Sequence, residues 1–172
     1  MTRRTSPASP VPSGRTEPYL RLAELLMGHR IARALHLSVK HGIADVIGDG
    51  AKTAEELSVP TGIPSESLRR LLRALSYVGV FEEKTDGRFT NSPVSYYLRV
   101  DADPTLREMT LILNDETLLR GWDQLEQVLE TGNPAFAAVN GQTFFQYVSS
   151  DAKRSETVWL SACQPHGIVN AV

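Results

Sequence analysis

Residues 53–89 constrain the fold of this chain more than any other stretch. The segment opens on Thr-Ala-Glu-Glu, a capping box in which the threonine hydroxyl and the second glutamate carboxylate each bond the other residue's amide. Pro60 is expected to end this first helix, and Gly62 permits a turn. A second helix is predicted from apolar residues at three- and four-residue steps, closed by Gly79. Its stripe is Leu68, Leu71, Leu72, Leu75 and Val78.

A small β-hairpin is predicted directly after the second helix. Residues 80–83 and 88–90 are β-prone, and the Asp-Gly pair at residues 86–87 between them favours a tight hairpin turn. Two helices, a turn and a hairpin in this order predict a winged helix-turn-helix whose wing is the hairpin.

The flanks are predicted to be helical apart from the N-terminal tail. Residues 1–18 are rich in Pro, Ser, Thr and Arg and are expected to be disordered. Residues 19–50 predict helices more apolar than one small domain needs, so part of this surface is expected to face another chain. The predicted division is therefore a tail at 1–18, dimerisation helices at 19–50, the winged unit at 51–100 and a helical region at 101–172. The fold class is mainly α.

Charge argues against nucleic acid as the partner of this unit. The predicted second helix carries Arg69, Arg70 and Arg73, the residue type that contacts phosphates and guanine edges. However, the chain has a net charge of −2, and residues 50–100 carry seven cations against six anions. Glu82 and Glu83 at the wing would repel a phosphate backbone. A winged-helix DNA-binding regulator is the minor alternative.

Composition narrows the remaining classes of function. A single cysteine, Cys163, rules out an internal disulfide and fits a reducing cytoplasm. No apolar run approaches the ~20 residues of a membrane-spanning helix. The four histidines have no metal-ligand spacing, which favours helix-surface or interface positions over a metal site. They are His29, His36, His41 and His166.

Several consecutive motifs, taken together, resemble one known family. They are residues 34–46 (Ala-Leu-His-Leu-Ser-Val-Lys-His-Gly-Ile-Ala-Asp-Val), 53–57, 68–83, 86–89, 131–136 (Thr-Gly-Asn-Pro-Ala-Phe) and 144–148 (Phe-Phe-Gln-Tyr-Val). The chain resembles the N-terminal dimerisation domain of S-adenosylmethionine-dependent O-methyltransferases, above all the actinobacterial enzymes that tailor aromatic polyketides. The resemblance covers about residues 20–162.

The resemblance implies a homodimer in which the N-terminal helices of two subunits interlock. It also implies that the later helices cap the active site of a methyltransferase domain and contact an aromatic substrate. For each candidate substrate-binding residue, ordinary core packing is the alternative. The candidates are Met109, Leu113, Trp122, Phe136, Phe144 and Phe145.

The catalytic unit of that family has no counterpart in this sequence. A Rossmann-like cofactor domain needs a strand leading into a glycine-rich turn, an acidic residue for the ribose hydroxyls and, in this family, a histidine base. We therefore predict no catalytic, cofactor-binding or metal-binding residue, and expect S-adenosylmethionine to bind only where the chain is joined to such a domain. Two interpretations stay open: part of a larger O-methyltransferase, or a stand-alone dimer that binds an aromatic molecule or partners a separate methyltransferase subunit.

Overall fold

The computed structural model describes residues 16–162, with side chains through residue 158. Most of the tail predicted at 1–18, together with Cys163 and His166, lies outside the described residues. Twelve helices and three strands are described. In chain order they are α1 (Glu17–Leu26), α2 (Gly28–Lys40), α3 (Ile43–Ile47), β1 (Ala51–Lys52), α4 (Ala54–Thr61), α5 (Ser65–Tyr77), β2 (Phe81–Glu83), β3 (Phe89–Asn91), α6 (Pro93–Tyr96), α7 (Arg107–Leu113), α8 (Glu116–Trp122), α9 (Leu125–Thr131), α10 (Phe136–Asn140), α11 (Phe144–Ser149) and α12 (Ala152–Ala162).

Burial increases along the first three helices, from α1 to α3. None of the residues of α1 is buried, and in α2 burial reaches only Ser38 and Val39 near its C-terminus. Gly42 then takes a left-handed conformation, with φ of 62°, and allows the sharp turn into α3. Ile43 and Ile47 of α3 are fully enclosed by the core. Helix α1 therefore lies outside the core, whereas the second half of α2 and α3 pack against or within it.

The predicted capping box starts α4. The Glu56 amide donates to Thr53 Oγ1 at 3.2 Å, and the Thr53 amide donates to Glu56 Oε2 at 2.7 Å. The expectation that Pro60 ends this helix is wrong, because α4 continues through Pro60 to Thr61. A proline in the last turn removes only one donor. The helix instead ends where Gly62 adopts a φ of 69°.

Helix α5 buries the predicted apolar stripe with one exception. Leu68, Leu72 and Leu75 are fully buried, and Leu71 is half-buried against the same core. Val78 does not belong to the stripe: it is 39% exposed. The reason is that α5 ends at Tyr77, so Val78 has left the helical register.

The predicted hairpin is present and gains a third strand. Strand β3 pairs antiparallel with β2, Glu82 lying opposite Thr90, and with β1 on its other edge, so the strand order is β1-β3-β2. Sequence reasoning missed β1 because two residues, Ala51 and Lys52, carry no β-branched or aromatic signal. Asn91 joins the sheet to α3 by donating through Nδ2 to the carbonyls of Ala44 and Gly48, at 2.9 and 2.8 Å.

The C-terminal half consists of short helices. Trp122 and Leu125 lie on separate helices, α8 and α9, with a turn at Asp123 and Gln124 between them. Asp123 keeps near-helical dihedrals (φ −62°, ψ −17°), so the apolar spacing continues across the break and hides it. The predicted fold class, mainly helical with a small hairpin, is confirmed. Within residues 16–162 no helix has the length and apolar character needed to cross a membrane.

Candidate functional site

Four aromatic rings gather where α10 and α11 meet. The Phe136 centroid lies 5.7 Å from both Phe144, edge to face, and Tyr147; Phe145 continues the group with its centroid 5.9 Å from Phe144. Tyr147 is buried, whereas Phe145 is 67% exposed. The ring cluster (Phe136, Phe144, Phe145 and Tyr147) therefore has one packed side and one side open to solvent.

Helix α8 lies against this ring cluster. Gly121 is buried, and a Cβ added there would lie 3.4 Å from Cδ2 of Phe136. The Asn140 side chain of α10 donates to the Thr117 carbonyl of α8 at 3.1 Å. These contacts fix the helix that carries Trp122, whose side chain is exposed.

The other two predicted site residues lie on α7. Met109 and Leu113 are one helical turn apart and so share a face; Met109 is half-buried and Leu113 is exposed. Leu111 of the same helix packs against the main core. The six predicted residues thus divide into a pair on α7 and a group on α8, α10 and α11, and their contact with a ligand stays a prediction.

A polar cluster that sequence reasoning missed lies beside the rings. The Arg154 guanidinium carbon lies 4.1 Å from the Tyr147 ring centroid, and its Nη1 donates to the Tyr147 carbonyl at 2.9 Å. Asp115 accepts a hydrogen bond from the Thr117 amide at 2.7 Å and another from the Tyr147 hydroxyl. Asp115 has a helix-start signal in the sequence. Arg154 has none that distinguishes it from other exposed arginines.

The protonation states of this polar cluster follow from its burial and hydrogen bonds. Burial acts to raise the pKa of Asp115, but the hydrogen bonds from Thr117 and Tyr147 outweigh it, so the pKa lies below its ordinary value. Burial, followed by the hydrogen bond to Asp115, raises the pKa of Tyr147. At neutral pH the pair is therefore a carboxylate and a neutral phenol, with the phenol donating.

A small cavity opens between α7 and α12 next to this pair. Its volume is about 280 Å³. Five of its eight lining residues are charged, namely Glu108, Asp115, Asp151, Lys153 and Arg154, and the others are Leu111, Ile112 and Tyr147. The cavity is therefore a polar cleft, unlike the mostly apolar pockets that bind small molecules.

The arginines of α5 are largely matched by carboxylates. Arg69 is paired with Glu55, and Arg73 makes hydrogen bonds to both carboxylate oxygens of Glu83, from 2.9 to 3.1 Å. Arg70 is exposed. Two of the three cations that suggested DNA contact thus have local acidic partners, which weakens this face as a phosphate-binding surface.

Two of the histidines predicted at helix surfaces or interfaces contact neighbouring elements, His36 being half-buried and His41 exposed. His41 places Nδ1 3.2 Å from the Thr61 carbonyl. His36 packs where α2 meets α7; burial first and Arg33 second lower its pKa, while the Thr110 carbonyl opposes them. Within the described chain no group of three or more His, Cys, Asp or Glu residues could hold a metal ion.

Comparison with known proteins identifies the first half of the chain. Residues 23–101 match the family model described as the O-methyltransferase dimerisation domain. This segment is an O-methyltransferase dimerisation domain. The match begins in α1, includes the helix-turn-helix and the hairpin, and ends just after α6.

Relatives extend the similarity beyond that segment. The phenazine O-methyltransferase PhzM of Lysobacter antibioticus is 31% identical over 128 residues, which cover 74% of this chain and 37% of the relative. The mitomycin biosynthesis 6-O-methyltransferase of Streptomyces lavendulae is 31% identical over 157 residues, covering 91% of this chain and 45% of the relative. The solved structure of LaPhzM superposes with a TM-score of 0.75 at 26% identity, covering 86% of this chain and 44% of that one. The chain thus spans less than half the length of the curated relatives it matches.

Proposed function

We propose that this chain forms a homodimer through α1 and the first half of α2. The observation that carries the proposal is the exposed apolar stripe of α1: Tyr19, Leu22 and Leu26 recur at three- and four-residue steps and are 55%, 58% and 68% exposed. A helix with such a stripe and no buried residue has no folded-state contact that accounts for its apolar side chains. A second copy supplies one.

The energetic argument favours association through this stripe. Fully burying a leucine-sized side chain yields about 1.5–3 kcal/mol, so three side chains already more than half exposed offer several kcal/mol per subunit. Ordering the interface and losing rotational freedom offset part of that gain. The dimerisation-domain match of residues 23–101 supports self-association; it includes Leu26 and begins directly after Leu22.

A second part of the proposal concerns the helices from α7 to α11, which we assign as one wall of a pocket for a flat aromatic acceptor. Support comes from the open side of the ring cluster and from the exposed side chains of Leu113 and Trp122. The relatives also support an aromatic acceptor, since one is named a phenazine O-methyltransferase and another a methyltransferase of mitomycin biosynthesis. The proposed role is methyl-group tailoring of a secondary metabolite, in the cytoplasm.

The described part of the chain does not fit S-adenosylmethionine. Its sheet consists of three antiparallel strands of two or three residues, without the parallel strand and glycine-rich turn that receive such a cofactor. Methyl transfer therefore depends on a cofactor-binding unit joined to these residues or supplied by a partner. The residues described here bind and orient the acceptor.

Sedimentation velocity tests the dimer. We expect a dimer at tens of micromolar for the chain itself and a monomer for Leu22→Glu, because the substitution places a charge within the stripe. The matched control is Val59→Glu on α4, since Val59 is 88% exposed and far along the chain from the stripe. A monomeric wild type, or equal disruption by both variants, contradicts the proposed interface.

Calorimetric titration tests the pocket wall with phenazine as the probe. We expect weak binding by the wild type, at least threefold weaker binding by Phe145→Ala, and an unchanged affinity for Val59→Ala, whose side chain is exposed on α4, outside the proposed wall. Equal affinity in all three proteins argues against the ring cluster as a contact surface. The same titration with S-adenosylmethionine is expected to give no heat; micromolar binding would contradict the assignment of the cofactor to another unit.

A further inference from the structure

Helix α7, which bears Met109 and Leu113, is held at both ends by side chains from the N-terminal helices. At its start, Arg107 Nη1 lies 3.1 Å from Asp45 Oδ2 of α3. At its end, Arg33 Nη1 of α2 donates to the Asn114 carbonyl at 2.8 Å. These two contacts join residues that are 62 and 81 positions apart in the chain.

Each contact matches the electrostatics of the helix end that it meets. The Asn114 carbonyl follows the last turn of α7, where carbonyl groups lack helical partners and the helix dipole favours a cation such as Arg33. Arg107 stands at the opposite, positive end, where an unpaired cation is unfavourable, and the Asp45 carboxylate offsets it. Asp45 also accepts the Val100 amide at 2.7 Å through its other oxygen, which fixes the segment leading to α7.

The contacts differ in how firmly they are anchored. Asp45 lies on α3 between the fully buried Ile43 and Ile47, so the start of α7 is tied to the core. Arg33 lies in the part of α2 that precedes its buried residues, Ser38 and Val39. Ala34 and Leu35, next to Arg33, are only partly buried against the core, so the end of α7 is tied to a helix segment that the core covers only in part.

We propose that dimer formation is coupled to the position of α7 through Arg33, a positioning residue, while the Asp45–Arg107 pair acts as the fixed pivot. This inference rests on the proposed dimer through α1 and α2. A second copy that covers the exposed part of α2 restricts its motion, and the hydrogen bond from Arg33 passes that restriction to the last turn of α7. Leu113 lies in that turn, so the orientation of a substrate-facing side chain depends on subunit association.

Hydrogen–deuterium exchange of the full 172-residue chain tests the coupling. Exchange in the peptide spanning residues 107–115 is measured at protein concentrations below and above the dimer dissociation constant, which sedimentation supplies for each variant. We expect exchange in this peptide to slow about fivefold on dimerisation, the effect of one hydrogen bond. Arg33→Met, which keeps the apolar stem and removes the donor, is expected to abolish that slowing at an equal dimer fraction.

Two variants separate coupling from a general loss of structure. Arg33→Lys retains a donor and is expected to restore most of the slowing. Arg30→Met is the matched control, because Arg30 is an exposed arginine one turn earlier whose side chain contacts Met27 of its own helical segment, and it is expected to behave as wild type. If Arg33→Met does not fold by circular dichroism, Arg33→Leu, which also removes the donor, takes its place, and full slowing in that variant overturns the coupling.

The outcomes distinguish this inference from the proposed dimer. A chain that stays monomeric at every concentration overturns both. A chain that dimerises without any change in the exchange of residues 107–115 overturns the coupling alone, as does an Arg33→Met variant that keeps the full slowing.

Discussion

The two halves of the molecule bury their apolar side chains in different ways. From the end of α2 to α6, a single cluster of buried side chains encloses Leu57, Leu68, Leu72, Phe81 and Phe89, each at most 1% exposed. From residue 103 to residue 158, the only buried residues are Gly121, Ala135, Tyr147 and Val148. The first half has a core of its own, whereas the second keeps large apolar and aromatic groups half-buried.

This difference indicates what each half requires from other surfaces. The helix-turn-helix and hairpin bury most of their apolar side chains in this core, Val59 and Tyr77 being exceptions, and serve as the platform for the helices that follow. The helices that follow present incompletely covered side chains such as Phe145 and Leu129. Such exposure is expected of a region that meets a ligand or a further domain.

The largest expected effect on stability comes from a substitution in the core of the first half. Leu72→Ala removes a fully buried side chain from α5 and is expected to lower the free energy of unfolding by about 2–5 kcal/mol. Leu129→Ala makes the same chemical change at an exposed position and is expected to stay within about 0.5 kcal/mol of wild type. Urea denaturation measures both, and similar losses in the two variants would remove the contrast between the halves.

A smaller, pH-dependent change in the free energy of unfolding is expected from a substitution in the second half of the molecule. Tyr147→Phe deletes the hydroxyl that donates to Asp115 and is expected to cost about 1 kcal/mol at pH 7. Because the pKa of Asp115 is lowered in the folded chain, its contribution is present above its ordinary value of 3.8 and is lost as the pH falls through the folded pKa. The difference between wild type and Tyr147→Phe should therefore shrink between pH 7 and pH 3 in urea titrations.

Tyr96→Phe is the control for the hydroxyl deletion, because Tyr96 is an exposed tyrosine on α6. Its effect on the unfolding free energy should be small at both pH values. A Tyr147→Phe difference that is the same at pH 7 and pH 3 would contradict the assigned hydrogen bond.

The smallest expected effect is an increase in the free energy of unfolding, produced by a substitution in α8. Gly121 lies within α8 and an added Cβ would meet Phe136 at ordinary contact distance, so Gly121→Ala is expected to stabilise the chain by about 0.5 kcal/mol through helix propensity. Gly132→Ala, at a φ of 71°, is expected to cost about 1 kcal/mol instead. Thermal unfolding compares them; destabilisation by Gly121→Ala would show that the contact with Phe136 tolerates no methyl group.

Local signals were enough to predict the platform. The capping box at Thr53, the leucine spacing of α5 and the Asp-Gly turn each act over a few residues, so they can be read without knowledge of the fold. The sequence-based predictions failed where the local structure depends on residues elsewhere in the chain or on where a helix ends. Strand β1 exists because β3 offers a free edge, and Val78 is exposed because α5 ends one residue earlier.

The candidate site was less accessible to sequence reasoning. The family resemblance singled out Phe136, Phe144 and Phe145, and the structure brings these three rings together. The Tyr147–Asp115–Arg154 arrangement joins three elements and has no spacing signature. The contact of Arg33 with the end of α7 involves a backbone carbonyl, which every residue possesses, so sequence carries no sign of it.

The outer position of β2 has a consequence for how this protein associates in concentrated solution. An open strand edge is a template for uncontrolled sheet extension, and charged side chains on a short strand suppress it. Strand β2 has only three residues, and its exposed Glu82 and Glu83 are held in ion pairs with Lys84 and Arg73. Extension of the sheet at this edge would disrupt those pairs, which favours helices over the sheet edge as the surface through which copies of the proposed dimer meet.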